Sequence, residues 1–347
     1  MSMKRFSKLL ALLMAFVMIF ALAACGGGKQ EPTSSPQPTE NTTGQKTDKK
    51  IVLGFAQVGA ESEWRTANTE SIQQAAKDFG IELKFVDAQQ KQENQIQAIR
   101  SFISQGVDVI AFAPVVETGW DTVLREAKDA GIPVIIVDRQ VKLENEDEDL
   151  YVAWMGSNFE QEGRDAAEWL ISYMDKIGKG DGPVNIAELQ GTVGSSAAVG
   201  RKKGFEEVIK NKPNYKIIKS QTADFTRAKG QEVMEAFLKA DPNKEINVLL
   251  AHNDDMALGA IQAIEAAGRK PGEDIIIVSF DAVKGAFEAM IEGKLNCTVE
   301  CNPLLGPQLM EAVVKLVNGE PIEKIIYTKE GVFPAEVAAQ ELPNRKY

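Results

Sequence analysis

From Ile51 onward, short apolar segments alternate with segments of helical spacing that end at glycine. The apolar runs at 51–56, 108–113 and 133–137 are typical of strands buried on both faces, and helical spacing lies between them. A second series of the same kind runs from Tyr151 to Ile291. Strands and helices that alternate in this way form parallel sheets covered by helices. We therefore predict an α/β fold with two doubly wound, Rossmann-like lobes, each with its own parallel sheet.

An acidic stretch without glycine, residues 143–149, lies between the two series and interrupts the alternation. Its five carboxylates and the absence of an apolar pattern favour a solvated loop. The alternative is a metal site, which the residue types also permit.

The N-terminus has the organisation of a secretion signal. Lys4, Arg5 and Lys8 precede an uninterrupted apolar run at 9–24, which is short for a transmembrane helix. The run ends in Leu22-Ala-Ala-Cys25, which resembles a bacterial lipobox. We predict a signal peptide at 1–24 and lipidation of Cys25. The alternative is an ordinary signal peptide whose cleavage site happens to precede a cysteine.

Residues 26–50 contain no aliphatic, aromatic or cysteine side chain. Such a segment has no apolar surface to bury, so we predict that 25–50 forms a lipidated, disordered tether. A flexible coil of this length has a root-mean-square reach of about 25–30 Å. The N-terminal 50 residues therefore predict an extracytoplasmic protein that is anchored to the cell membrane through its lipid.

The composition excludes several classes of function. The formal charge of −11 argues against a nucleic-acid partner, because phosphate contacts need a basic face. The chain has a single histidine, His252, which argues against His-based metal sites and triads and is interpreted as a local hydrogen-bonding residue. Cys297 and Cys301 would lie about 13 Å apart on a strand, so we interpret them as buried thiols. We predict no metal and no cofactor.

Polar and aromatic side chains follow the predicted strands, where doubly wound sheets bind ligands. Arg, Asp and Asn side chains offer planar donor and acceptor pairs for adjacent sugar hydroxyls, and Trp64 and Phe225 offer faces for the C–H side of a sugar ring. Four of the candidate residues also have a purely structural interpretation: Asp138 and Asp281 as turn caps, Trp64 as core, and Arg201 as part of a solvated helix face. The set indicates binding rather than catalysis.

Several segments together resemble a known family over residues 51–332: 188–192, 223–225, 252–259 and 280–281, read as Glu-Leu-Gln-Gly-Thr, Ala-Asp-Phe, His-Asn-Asp-Asp-Met-Ala-Leu-Gly and Phe-Asp. They are similar to the ribose-binding branch of the type I periplasmic sugar-binding proteins that serve ABC importers. The resemblance implies two lobes joined by a three-segment hinge. Lobe 1 would comprise 51–156 plus 302–326, and lobe 2 would comprise 157–301 plus 327–347.

A second set of segments resembles the galactofuranose-binding members of that family more closely: 54–59, 61–65, 89–95, 113–120 and 201–205. Ribose-binding members typically have two phenylalanines at the positions of Trp64 and Arg65, and an asparagine before the position of Pro114. This chain has Arg65 and Ala113 instead. The departure implies a furanose hexose, with galactofuranose as the expected sugar and ribose or another sugar as the alternative.

The resemblance implies ligand contacts at ten positions, of which Asp87 and Asn158 match the family least well. The predicted ligand-binding residues are Glu61, Trp64, Arg65, Asp87, Arg139, Asn158, Arg201, Phe225, Asn253 and Asp281.

The resemblance further implies a monomeric receptor that has no enzymatic activity and delivers a monosaccharide to the membrane subunits of an ABC permease. Two alternatives stay open at this stage. A sugar sensor that reports to a signalling receptor would have the same fold and cavity. A surface glycoside hydrolase would need two carboxyl groups roughly 5–10 Å apart on either side of the glycosidic bond.

Overall fold

The computed structural model describes residues 50–145 and 149–347. The predicted signal peptide, Cys25 and the tether up to residue 49 lie outside these residues, as does the 146–148 part of the predicted acidic loop. Among the residues that the structure describes, no helix combines the length and the apolar character needed to cross a bilayer.

Strands and helices alternate through the described chain. The strands are β1 (Val52–Gln57), β2 (Glu82–Asp87), β3 (Val109–Phe112), β4 (Val134–Val137), β5 (Ala153–Gly156), β6 (Val184–Gln190), β7 (Tyr215–Thr222), β8 (Val248–Ala251), β9 (Ile276–Asp281), β10 (Cys297–Glu300), β11 (Ile325–Tyr327) and β12 (Val332–Pro334). The helices are α1 (Glu63–Asp78), α2 (Gln92–Gln105), α3 (Asp121–Asp129), α4 (Phe159–Lys176), α5 (Ser196–Ile209), α6 (Arg227–Lys239), α7 (Asp254–Ala266), α8 (Lys284–Ile291), α9 (Gly306–Val317) and α10 (Ala338–Glu341).

The strands form two six-stranded sheets with the same order of strands. The first sheet has the order β11-β5-β4-β3-β1-β2, and all its neighbouring strands are parallel. The second has the order β12-β10-β9-β8-β6-β7, and only the edge strand β12 is antiparallel to its neighbour. These two doubly wound lobes confirm the predicted fold class.

Helices cover both faces of the first sheet. Alternate strand residues point to opposite faces, so Phe55 and Ile135 pack against α1 and α9, whereas Phe112 and Ile136 pack against α2 and α3. The second sheet repeats this arrangement, with α4 and α5 on one face and α6, α7 and α8 on the other. Apolar layers on both faces of each sheet explain why its strands are apolar runs rather than alternating ones.

Three connections join the lobes: residues 157–158 after β5, 301–305 after β10 and 328–331 after β11. One carboxylate links all three, because Glu330 accepts hydrogen bonds from the Ser157 hydroxyl, from the Asn302 N–H at 2.9 Å and from the Thr328 hydroxyl at 2.6 Å. Burial is the main reason that the pKa of Glu330 is raised. The three connections therefore meet at one hydrogen-bonded junction next to the cleft.

Candidate ligand-binding site

A cavity lies at the carboxyl ends of both sheets, where the two lobes face each other. Doubly wound sheets bind their ligands at this edge. The cavity's lining residues come from both lobes and from the connection after β10: Glu61, Ser62, Trp64, Arg65, Asp138, Arg139, Phe159, Ala197, Arg201, Phe225, Asn253, Asp281 and Cys301.

The wall of lobe 1 contains two buried guanidinium groups and two buried carboxylates. Arg65, in the first turn of α1, donates to Asp138 Oδ2 at 2.7 Å and to Glu61 Oε1 at 3.1 Å. Arg139 donates to the same Glu61 oxygen at 3.4 Å and to the Val115 carbonyl at 3.1 Å. Each charge has a partner of opposite sign, so the wall is rigid and electrically balanced.

Glu61 has one oxygen free to bind a ligand. Its Oε1 accepts from Arg65 and Arg139, whereas its buried Oε2 has no hydrogen-bond partner among residues 50–145 and 149–347. Burial alone would raise the pKa of Glu61, but Arg65 and Arg139 outweigh burial and the pKa is lowered. Glu61 is therefore an ionised acceptor that a ligand hydroxyl can satisfy.

The wall of lobe 2 is organised around Arg201 on α5. Its Nε donates to Glu162 Oε2 at 2.7 Å, its Nη1 to the His252 carbonyl at 2.5 Å and its Nη2 to Asp281 Oδ1 at 3.3 Å. Helices α4 and α5 can pack this closely because residue 163 is glycine: a Cβ there would lie 2.2 Å from the Arg201 carbonyl oxygen. Arg201 is thus a buried, fixed donor and not part of a solvated helix face.

The carboxyl groups on this second wall have raised pKa values. Burial raises the pKa of Glu162 to about 8, although Arg201 opposes the shift. Burial also raises the pKa of Asp281 well above its usual range, again against the effect of Arg201. One guanidinium is shared by two buried carboxyl groups, so at least one of them retains its proton at neutral pH.

Three aromatic rings border the cavity, those of Trp64, Phe159 and Phe225. The Trp64 indole N–H donates to the Cys301 carbonyl at 2.6 Å, which links α1 of lobe 1 to the connection after β10. Phe225 lies under the Arg139 guanidinium, 5.1 Å from ring centroid to the carbon of that group. The Phe225 ring fits because residue 191 is glycine, since a Cβ there would lie 1.9 Å from Phe225 Cζ.

Three cavity residues at or just after strand ends have left-handed backbone conformations: Asp138 (φ 62°), Phe225 (φ 62°) and Asp281 (φ 108°). Non-glycine residues adopt positive φ at an energetic cost, and such residues concentrate at functional sites. Here the conformation turns the chain sharply at the ends of β4, β7 and β9.

Asn253 and His252 link β8 to α7. The Asn253 side chain caps α7 by accepting from the Met256 N–H at 2.9 Å, and it donates to the Phe225 carbonyl at 3.1 Å.

His252 is fully buried and its Nε2 lies 3.2 Å from Glu188 Oε1. Burial lowers the pKa of His252, although Glu188 opposes the shift, so the imidazole is neutral. This agrees with its interpretation as a local hydrogen-bonding residue.

The structure brings eight of the ten predicted ligand-binding residues to the cavity, and Asp87 and Asn158 are the exceptions. Asp87 is exposed at the end of β2 and accepts from the Gln89 N–H at 2.7 Å. Asn158 is exposed and caps α4 by accepting from the Gln161 N–H at 3.1 Å. Their side chains serve the local backbone, which explains why neither reaches the cavity.

Five lining residues were not among the predicted contacts: Ser62, Asp138, Phe159, Ala197 and Cys301. Asp138 had a usable signal, since it directly precedes Arg139 at a strand end. Ser62 and Phe159 lie at helix starts that the sequence locates, so pairing helix starts with strand ends could have found them. Ala197 and Cys301 carry no side-chain signal of this kind. Cys297 and Cys301 are free and buried, as predicted.

Comparison with known proteins assigns the family. Residues 53–321 match the family model described as a periplasmic binding protein domain. The chain belongs to the periplasmic binding protein family. The family acts outside the cytoplasm, as its name states, and two of the relatives described next are named as binding proteins rather than enzymes.

A curated relative, the galactofuranose-binding protein YtfQ of Escherichia coli, is 49% identical over 85% of this chain and 92% of its own length. A Mycobacterium smegmatis structure in complex with β-D-fucofuranose is 55% identical with a TM-score of 0.81, covering 86% of this chain and 95% of that one. The arabinose transporter component of Shewanella sp. ANA-3, bound to α- and β-L-arabinofuranose, is 52% identical with a TM-score of 0.80, covering 85% and 96%.

Proposed function

We propose that this chain captures a monosaccharide in its furanose form, with galactofuranose as the first candidate, in the cavity between the lobes. The observation that carries the proposal is the pair of facing Arg–carboxylate walls, in which the ionised Glu61 keeps a buried oxygen that accepts no hydrogen bond from the part of the chain that the structure describes. A sugar hydroxyl can donate to that oxygen. Guanidinium groups fixed by carboxylates can donate to the oxygens of neighbouring hydroxyls.

The aromatic residues support a sugar rather than a charged solute. Trp64 and Phe225 offer apolar faces to the C–H side of a ring, while the three guanidinium groups lie beside carboxyl groups. An anionic ligand would need uncompensated positive charge, and each arginine here already has an acidic partner. A neutral sugar can contact the apolar ring faces and needs no uncompensated positive charge.

Arg65 supports the furanose assignment. In the ribose-binding branch a phenylalanine typically stands at this position, whereas here a buried guanidinium lines the cavity and contacts Glu61 and Asp138. Ala113, the other departure, is buried beside Val58 and Val115 and does not line the cavity. The three relatives described above have names or ligands that refer to furanose sugars.

We also propose how the protein works as a receptor. The two lobes close around the sugar by bending at their three connections, 157–158, 301–305 and 328–331. The third connection begins one residue later than the predicted boundary between 326 and 327, because Tyr327 pairs with Gly156 in the first sheet. Cys25 carries a lipid that anchors the monomer to the cell membrane. The closed form delivers its sugar to the membrane subunits of an ABC permease.

Calorimetry on the purified full-length protein tests the sugar assignment. Galactose enriched in the furanose form, galactose in the pyranose form, arabinose and ribose are titrated separately, and galactofuranose is expected to bind tightest with one site per chain. Galactose labelled with ¹³C at C1 then reports the ring form of the bound sugar by NMR. Tighter binding of ribose, or a bound pyranose, would contradict the furanose assignment. Absence of binding for all four sugars would contradict sugar capture.

A further inference from the structure

The first helix of lobe 1 makes a direct contact with lobe 2 outside the cavity. The Glu63 N–H, at the first position of α1, donates to Asp255 Oδ2 at 2.7 Å. Asp255 is the second residue of α7 and is buried. The first N–H groups of a helix have no partner within the helix, so a carboxylate of the opposite lobe satisfies one of them.

Arg227 on α6 holds that carboxylate in place. Its Nε and Nη2 lie 3.0 and 2.9 Å from Asp255 Oδ1, and its Nη2 also lies 3.7 Å from Glu63 Oε2 across the interface. Helices α6 and α7 approach closely at this point because residue 259 is glycine: a Cβ there would lie 2.0 Å from the Arg227 carbonyl oxygen. Asp255 therefore presents a positioned negative charge to the positive end of α1.

This contact is separate from the ligand. Glu63, Arg227 and Asp255 do not line the cavity, whereas the next two residues of α1, Trp64 and Arg65, do. Asp255 thus acts on the helix that carries two ligand-binding side chains without touching the ligand itself. Its bond to Glu63 joins the two lobes and requires them to be close together.

We propose that Asp255 is a positioning residue for cleft closure, whose carboxylate holds the start of α1 against lobe 2 and so slows sugar release. This rests on the proposed function, since it assumes that the sugar binds in the cavity and that the lobes close on it. A contact that exists only in the closed form stabilises that form and shifts the equilibrium between open and closed lobes toward closure. It should therefore affect sugar dissociation rather than association.

The test compares the full-length protein with Asp255→Asn, which preserves the size of the side chain and removes its charge. Sugar dissociation is followed by stopped-flow fluorescence of the tryptophans, with the tightest-binding sugar from the calorimetry. Asp255→Asn removes a charged group from a helix N-terminus and weakens a charge-assisted hydrogen bond. Together these losses should raise the dissociation rate about 5- to 30-fold. The association rate should stay within about twofold, and Asp255→Glu should recover part of the effect.

Glu273→Gln is the matched control, because it also removes one negative charge from lobe 2. Glu273 is exposed and pairs only with Lys270 among the described contacts, at 3.0 Å, near the amino-terminal end of β9 and away from the cavity. Its dissociation rate should equal that of the parent. An Asp255→Asn protein with a lowered unfolding temperature but an unchanged dissociation rate would show a purely structural role and overturn the proposal.

Small-angle scattering without sugar separates this proposal from the proposed function. If the parent bound no sugar, the proposed function would fail, and the closing role would be judged by the radius of gyration alone. A larger radius in Asp255→Asn than in the parent would support the role, and an equal radius would overturn it.

Discussion

The two walls of the cleft have the same kinds of residues but opposite electrostatic behaviour. In lobe 1, Arg65 and Arg139 face Glu61 and Asp138, and the pKa of Glu61 is lowered. In lobe 2, the single Arg201 serves both Glu162 and Asp281, whose pKa values are raised by burial. Two guanidinium groups outweigh the effect of burial on Glu61, whereas the single guanidinium of Arg201 does not outweigh it on Glu162 and Asp281.

The difference does not come from the fold, because the two sheets have the same strand order. It comes from which element supplies the arginine. Arg139 follows strand β4 and Arg65 lies in the first turn of α1, so both reach the same carboxylate from different directions. Arg201 lies on α5 and meets Glu162 of the neighbouring helix α4. The following predictions probe this asymmetry.

Arg201→Ala should have the largest effect. It removes the only guanidinium that contacts Glu162 and Asp281 among the described contacts, and it frees the His252 carbonyl. Leaving buried carboxyl groups without their partner is expected to lower the free energy of unfolding by about 3 kcal/mol. Sugar affinity should fall about 100-fold or more. Urea unfolding and calorimetry measure the two effects.

Arg139→Ala and Arg164→Ala sharpen the comparison. Arg65 still pairs with Glu61 and Asp138 when Arg139 is lost, so stability should fall by only about 1–2 kcal/mol while sugar binding is largely lost. Arg164 is a partly exposed arginine on α4, and its replacement should change stability by no more than about 0.5 kcal/mol. Equal stability losses for Arg201→Ala and Arg139→Ala would contradict the asymmetry of the walls.

Glu61→Gln should have the next largest effect on binding. Glutamine replaces an ionised acceptor that two arginines hold, and it has only one acceptor oxygen for Arg65, Arg139 and the ligand. Losing a hydrogen bond to a charged group corresponds to about 10- to 150-fold weaker sugar binding. Calorimetry measures the loss, with Glu117→Gln as a lobe 1 control outside the cavity. An unchanged affinity would mean that the free oxygen of Glu61 does not meet the sugar.

The sequence predicted the architecture well because periodicity reports burial. Strands such as β4 are apolar on both faces, and helices such as α2 end at a glycine, Gly106, in the left-handed conformation (φ 63°). The polar residues after strands then had to gather at one edge of each sheet. Strand β10 and the edge strands β11 and β12 were not predicted as strands. β10 contains a threonine and a glutamate and so lacks a continuous apolar run, and β11 and β12 have only three residues each.

The finer geometry of the cavity depends on contacts between distant parts of the chain. No local pattern shows that Asp138, Phe225 and Asp281 take positive φ, since such conformations persist only where the surrounding structure holds them. The pairing of Glu162 with Arg201 depends on the close packing of α4 and α5 around glycines. Asn158 and Asp87 match the expected residue types, yet the backbone beside them takes up their hydrogen bonds.

Glu162→Gln tests the protonated state of the second wall. The pKa of Glu162 is raised from its ordinary value of 4.5 to about 8, so the folded protein binds more protons than the unfolded chain between these values. The free energy of unfolding therefore falls as pH rises through this window, by up to about 1.4 kcal/mol per pH unit. Glutamine mimics the protonated acid and should reduce this loss. Urea unfolding at pH 6, 7 and 8 measures the slope.

The control for this slope is Glu160→Gln on the same helix. Glu160 has a partly exposed side chain and pairs with Lys203 at 2.6 Å, so its replacement should leave the pH dependence as it is in the parent. If Glu162→Gln and the parent lost stability equally between pH 6 and 8, Glu162 would have to be ionised throughout. Both walls would then be ionic, and the contrast between them would disappear.

Asn158→Ala should have the smallest effect on sugar binding, and it tests whether the cavity reaches as far as residue 158. The side chain caps α4, so its loss should lower the free energy of unfolding by about 1 kcal/mol. Asn158→Asp retains a capping oxygen and should be as stable as the parent. Sugar affinity should be the same in all three proteins, because Asn158 lies outside the cavity lining. A loss of affinity above tenfold in Asn158→Ala alone would return this residue to the ligand contacts that the family resemblance implies. It would also mean that the sugar-bound cleft extends past Phe159 toward the start of the helix.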